Sequence, residues 1–382
     1  MDLVYLDNNA TTRPAPEAVA AMLPFLSEVY GNPSSMHRFG QRSRQAIDEA
    51  RGHVARLLGC GEAELQLTGG GTEAVNTAIR GIYAARAPRR RIVTSSVEHS
   101  ATRELCAQLV KEDANVVETR VDHRGALDFD QLASSLDDET ALVSIMWANN
   151  ETGVLFDVAK IAELCKGRRV PFHCDGTQAV GKVPMNVAQL GVDAMSFAAH
   201  KFHGPKGVGG LFARRGLRYR PLLIGGPQER GRRGGTENVP GVVGMGAAAE
   251  LAIAALPEMP RVAALRDRLE RGILASIPDT AVNGRTDQRL PNTTNIGFAR
   301  LEAEAILILL SEQGVCASAG AACSSGSLEP SHVLKAMGVD GRLAHGAIRF
   351  SLSRYSTDAE VDRTLEVLPA VISRLRAVLP VA

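Results

Sequence analysis

Between about residues 60 and 215 the apolar positions fall in short β-rich runs separated by stretches with helical spacing. Residues 64–68, 91–95, 116–121, 141–147, 170–174, 194–198 and 209–213 read as strands. Helical segments lie between them, the first from Glu73 to about Ala85. This alternation predicts an α/β domain on a mostly parallel sheet, with turn residues just after the strands, where open sheets bind ligands. Two amphipathic helices come first. One carries Val19, Met22, Leu23, Leu26 and Tyr30, the other Ile47, Ala50, Val54, Leu57 and Leu58.

Pro257 and Pro260 mark a boundary, because neither suits a helix interior. Beyond them come a helix with Val262, Leu265, Leu269 and Ile273, a strand at 295–298, a helix at 302–313, a strand at 347–352 and a last helix from about 358. The expectation is a large domain over 15–257 and a small α+β domain formed by 1–14 and 258–382. No internal repeat or low-complexity tract interrupts this plan.

Composition narrows the picture. The 382 residues are 45% hydrophobic and 22% charged, a soluble globular balance long enough to bury a large core. With 43 basic against 42 acidic residues, the net charge of +1 gives no electrostatic reason to expect nucleic acid or an anionic membrane. No apolar run reads as a membrane span, and Met1–Tyr5 lacks the basic start of a signal peptide, so a cytoplasmic location is expected. The cysteines (Cys60, Cys106, Cys165, Cys174, Cys316 and Cys323) form no CxxC pair and no disulfide framework. No firm metal site follows from them.

Candidate chemistry gathers at strand ends. Lys201 follows the run 194–198; at the mouth of a sheet a lysine can be desolvated into a Schiff-base nucleophile, although a surface lysine has the same local sequence. Gly69-Gly70-Gly71-Thr72 precedes a helix, which suits a phosphate as well as a tight turn. Asp175 ends a strand, where it serves either a protonated pyridine nitrogen or a helix N-cap. His99 lies over a cofactor ring or is a satisfied core histidine. Together the phosphate-type loop, imidazole, acid and lysine, in that order, are far more specific than any one of them.

Those residues stand among longer motifs: Tyr5-Leu6-Asp7-Asn8-Asn9-Ala10-Thr11-Thr12, Gly31-Asn32-Pro33-Ser34-Ser35, Trp147-Ala148-Asn149-Asn150-Glu151-Thr152-Gly153, Arg233-Gly234-Gly235-Thr236-Glu237-Asn238, and the stretch 322–332 around Cys323. With these, nearly the whole chain resembles the group I cysteine desulfurases of the NifS/IscS type, within the fold-type I pyridoxal-phosphate (PLP) enzymes, and most closely the NifS branch. The resemblance implies a large domain with a mostly parallel seven-stranded sheet and the small α+β domain. It implies pyridoxal 5'-phosphate as cofactor, L-cysteine as substrate, and alanine as product. By this resemblance Lys201 carries the cofactor, Asp175 pairs with its ring nitrogen, Gln178 bonds the ring hydroxyl and His99 stacks on the ring. Gly71, Thr72 and His200 hold the phosphate, joined by Thr236 from the other subunit of a homodimer. Asn150 and Arg349 hold the substrate carboxylate, and Asn32 lines the same pocket.

Cys323 is implied as the thiolate that takes the sulfur as a persulfide and passes it to an iron–sulfur scaffold or another acceptor protein. It is also the candidate transient iron–sulfur ligand. The small residues of 317–327, with Gly320 and Gly326, suit a mobile arm; Cys316, at the end of a strand-like run, is expected to pack in the small domain. Nitrogenase supply, general cluster assembly and tRNA thiolation stay open as destinations. A selenocysteine lyase or an aminotransferase of the same fold is the alternative within PLP chemistry, and a non-enzymatic iron–sulfur scaffold the alternative outside it. The chain also departs from the family pattern, with Ala198 where several members place a serine, and Cys174 and Gly176 flanking the acid.

Overall fold

The computed structural model describes residues 3–319 and 329–378. The sulfur-carrying role expected of Cys323 falls outside the described residues. The strands are β1 (Val4–Tyr5), β2 (Leu65–Thr68), β3 (Arg91–Ser95), β4 (Asn115–Thr119), β5 (Thr140–Met146), β6 (Phe172–Asp175), β7 (Ala194–Ala198), β8 (Gly209–Ala213), β9 (Thr280–Val282), β10 (Thr293–Phe298), β11 (Val315–Cys316) and β12 (Ala347–Ser351).

A seven-stranded sheet runs in the order β2-β8-β7-β6-β5-β3-β4. From β7 to β4 every pairing is parallel, and only β8 runs the other way. Because β2 is antiparallel to β8, it points the same way as β7. The sheet is mostly parallel, as its apolar runs predict, and β5, β6 and β7 are buried along their whole length. The strand expected at 170–174 runs from Phe172 to Asp175, so the acid is its last residue.

A second sheet of order β12-β10-β9 is antiparallel; the helix Met259–Ser276 packs on β10, and the helix Asp358–Val378 packs on that helix and on β1. The N-terminal strand β1 lies parallel to β11, so Val4 and Leu6 join the apolar cluster of the later segments, with Val315, Ile348 and Phe350. Val333, Leu334, Met337, Ala344 and Ala347 pack the other way, into the core around the large sheet.

The prolines occupy junctions without any linker. Pro257 sits in a turn of 3₁₀ helix at Leu256–Glu258, and Pro260 falls in the first turn of the helix Met259–Ser276, where its missing N–H costs nothing. The helical run Val239–Ser276 is long and apolar enough, by length and composition, to cross a membrane, contrary to the sequence reading. Half of its most apolar stretch is buried. Gly246 lies against the helix Arg38–Leu58, where an added Cβ would stand 2.6 Å from Ala50 Cα. That packing makes it a core helix here.

The first amphipathic helix departs from expectation. It breaks at Pro24 into Pro16–Met22 and Pro24–Ser27, and Val19, Leu23, Leu26 and Tyr30 are exposed on this chain. Its spacing marks an apolar stripe, but the chain does not cover it. The second helix, Arg38–Leu58, buries Ile47, Ala50, Val54, Leu57 and Leu58 as its spacing predicts.

Candidate active site

Because β2, β7, β6, β5 and β3 all point one way, the segments that leave their C-terminal ends meet at one edge of the sheet. There they enclose a cavity of about 280 Å³ lined by Gly71, Thr72, His99, Asn150, Asp175, Gln178, His200 and Lys201, with Ala10, Thr177 and Ala198. Eight residues singled out in sequence thus share one wall.

Lys201 ends the short turn Ala199–Lys201 beyond β7. Its Nζ donates to the carbonyls of Asn9 at 2.7 Å and Ala10 at 2.8 Å. On the next strand, Asp175 takes two hydrogen bonds among the described residues, both on Oδ1, from Thr177 N at 2.9 Å and Ser196 Oγ at 3.3 Å. Its role is not that of a helix N-cap, since a turn and not a helix follows β6.

His99 caps the helix Ser100–Lys111, its Nδ1 accepting from Ala101 N at 3.1 Å, so the ring proton of the neutral form sits on Nε2. Burial lowers its pKa, Asp175 acts against that and Lys201 adds to it. His200 is neutral for a similar reason: burial first, then Lys201, Lys206 and Lys182, bring it down to about 4. Its Nδ1 pairs with Thr11 Oγ1 at 3.2 Å.

Gly71 and Thr72 open the helix Gly71–Ala85, whose N-cap Gly70 has φ +148°, a conformation that favours glycine. A Cβ added at Gly71 would stand 3.4 Å from both Ala198 Cβ and Thr177 Oγ1. The backbone is therefore open at one end of the cavity only because no side chain grows there. Helix N-terminal N–H groups together with the hydroxyls of Thr72 and Thr177 suit an anion at that end.

Asn9 ties the wall together, and sequence reasoning gave it no role although it lies in a quoted motif. Its carbonyl accepts from Lys201 and from Gln178 Nε2. Its Oδ1 accepts from Lys182 Nζ at 3.0 Å and Asn292 Nδ2 at 3.1 Å, and its Nδ2 donates to the Asn150 carbonyl. Lys182, also missed, is buried and donates to Gln178 Oε1 at 2.7 Å. Burial, with Lys201 and Arg349 nearby, holds its pKa well below the usual lysine value.

Three sequence candidates are not on the cavity wall. Asn32 is exposed, and its Oδ1 accepts from Ser34 N in its own turn, so the chain does not bring it to its own pocket. Thr236 is exposed beside Gly69 and Gly207, outside its own chain's cavity. Arg349 is buried next to the site, with its guanidinium donating to Asp7 Oδ1 at 2.7 Å and the Asn150 carbonyl at 2.9 Å. A buried guanidinium needs such a carboxylate, and Asp7 is the partner that sequence reasoning left out. Cys316 sits in β11 beside Tyr5 and is half-buried.

A model of the aminotransferase class-V family matches residues 4–364. The chain is 53% identical over 380 residues to cysteine desulfurase 2 of Trichormus variabilis, an overlap of all of this chain and 96% of that one. The chain belongs to the class-V aminotransferase family, among its NifS-like cysteine desulfurases. Its identity to the cysteine desulfurase NifS of Azotobacter vinelandii is 50% over 379 residues, covering 99% of this chain and 94% of that protein. Among solved structures, a NifS-like protein matches with a TM-score of 0.92 at 38% identity, over 98% of this chain and 100% of that one. SspA in complex with cysteine matches at 0.81 and 30%, over 92% and 99%. In all of these the overlap is close to full length, so the family assignment covers the whole described fold.

Proposed function

We infer that this chain is a PLP-dependent cysteine desulfurase, which converts L-cysteine to L-alanine and hands the sulfur on. The observation that carries this is the single cavity in which Lys201, Asp175, His99 and the Gly71–Thr72 cradle meet at one sheet edge. Its donor set fits PLP: a lysine amine for the aldehyde, a carboxylate for the ring nitrogen, an imidazole for the ring face and helix N–H groups for the phosphate. The open backbone at Gly71 is a cradle that a Cβ would fill. Ala198 offers the phosphate no hydroxyl, and Thr177 Oγ1, on the same side of Gly71, is the group we assign in its place.

Bound there, PLP supplies an electron sink for the charge that develops at the substrate α-carbon. Lys201, held by two carbonyl oxygens, is the base that takes and returns the proton at that carbon. Asn150 on the cavity wall and Arg349 behind it receive the substrate carboxylate, which takes over from Asp7 as the guanidinium's partner. The Cys323 thiolate attacks the substrate sulfur. An S–S bond forms, the C–S bond breaks with its electron pair passing to carbon, and protonation there completes alanine. The residues on either side of 320–328 support this assignment. Ser318 pairs with the Arg349 backbone, and Ser331 Oγ donates to Glu151 beside Asn150 at 2.5 Å.

The working unit we propose is a cytoplasmic homodimer. The exposed apolar positions Val19, Leu23, Leu26, Tyr30 and Met36 support a covered face, and Thr236, outside its own cavity, is available to a partner's. The sulfur acceptor in this reading is an iron–sulfur scaffold, as the family resemblance of the sequence implies. Incubating the PLP-loaded protein with L-cysteine should give alanine and enzyme-bound or released sulfur in equal amounts. Pyruvate, or alanine without matching sulfur, would overturn the assignment.

A further inference from the structure

Behind Asp175 lies a polar chain that the mechanism above does not use. In the parallel register Ser144 of β5 stands beside His173 of β6, and Asp175 of β6 stands beside Ser196 of β7. His173 and Asp175 are two residues apart on one strand, so their side chains share a face. On that face Ser144 Oγ lies 2.9 Å from His173 Nδ1, His173 Nε2 lies 3.2 Å from Ser196 Oγ, and Ser196 Oγ lies 3.3 Å from Asp175 Oδ1. Ser144, His173 and Ser196 are all 0% exposed.

The direction of the chain follows from its last member. A serine hydroxyl has one proton, and a carboxylate is a stronger acceptor than a neutral imidazole. Ser196 therefore donates to Asp175. Its oxygen then accepts from His173 Nε2–H, which leaves Nδ1 without a proton, and Ser144 donates to it. Burial, opposed by Asp175, brings the imidazole pKa down to about 4, so a single neutral tautomer satisfies every link.

We propose that Ser144, His173 and Ser196 are positioning residues, a one-way hydrogen-bond relay that keeps Oδ1 of Asp175 occupied and turns Oδ2 toward the cavity and the cofactor's ring nitrogen. The last part of this rests on the PLP reading; the order of the relay does not.

Nitrogen-15 spectra of histidine-labelled protein, with and without PLP, test the order directly. His173 should carry its proton on Nε2 in both states, and a proton on Nδ1 overturns the relay. Ser196→Ala should then weaken PLP about tenfold, as loss of one charge-assisted bond implies. It should also shift the ring-nitrogen signal of [15N]PLP, while borohydride still traps the cofactor on Lys201. Ser196→Thr, which keeps the hydroxyl, should restore both. In an Asp175→Asn background Ser196→Ala should add nothing; an undiminished further loss would mean that Ser196 acts on folding and not through Asp175, and would overturn the proposal. If no form of the protein binds PLP, the cofactor reading fails while the tautomer measurement still decides the relay.

Discussion

Replacing Glu98 by glutamine probes the floor beside His99. Glu98 is fully buried; its Oε1 accepts from Ser95 Oγ at 2.5 Å and Met146 N at 3.0 Å, and its Oε2 has no partner among the described residues. Desolvation pushes the carboxyl up to about 8; Asp175 and Glu118 push the same way, and the two donors resist. An acid whose folded value lies above its unfolded value holds its proton more tightly when folded. Its contribution to stability is therefore complete below the ordinary value of 4.5 and is lost as the pH rises through about 8. At about 1.4 kcal/mol per pH unit between those values, this one carboxyl removes roughly 2–3 kcal/mol of stability between pH 6 and pH 9. Glutamine keeps the shape and cannot ionise. Glu98→Gln should therefore gain on the parent protein by about that amount across the same range. Urea unfolding of both proteins at matched concentration, at pH 6, 7, 8 and 9, reads the difference from the midpoints. Parallel pH profiles would refute the reasoning, because Glu98 would then not be the group whose proton burial retains.

Other changes test the rest of the site. Cys323→Ser should lower alanine formation from L-cysteine by at least about a hundredfold while PLP stays bound, measured by amino-acid analysis and the absorbance of the holoenzyme. Asp7→Asn removes the carboxylate beside Arg349. L-cysteine should then raise the thermal midpoint of the variant by about 2 °C more than that of the parent, and an equal rise would show that Arg349 does not receive the substrate carboxylate. Arg51→Met should destabilise by about 3–5 kcal/mol in urea, since it strands Glu229, a buried carboxylate that also accepts from Leu67 N. Adding Glu229→Gln to that variant should recover part of the loss, and no recovery would mean the cost lies in packing.

The strands and the order of the site residues were legible along the chain because each signal is local. A short β-rich run predicts a buried strand, and a lysine, acid, imidazole or glycine loop just past its end belongs to the sheet's ligand edge. That is why Lys201, Asp175, His99, Gly71 and Thr72 all reach one cavity. The second amphipathic helix was read for the same reason: its period and its burial agree. The first one misled, since a period of apolar positions says which face wants cover but not what provides it, and this chain leaves Leu23, Leu26 and Tyr30 bare.

The sequence by itself determined the family, the α/β plan and the set of reactive groups, since those depend on residue type and short spacing. Tertiary structure alone decided who neighbours whom. The Arg349–Asp7 pair spans most of the chain, and Asn9 meets Lys201 only because the N-terminal segment reaches the sheet edge where that lysine stands. The serines on either side of His173 meet it only through the lateral order of β5, β6 and β7. No local pattern encodes such contacts. They arise when the strands choose their order, and a buried charge or imidazole then takes whatever partner that order sets beside it.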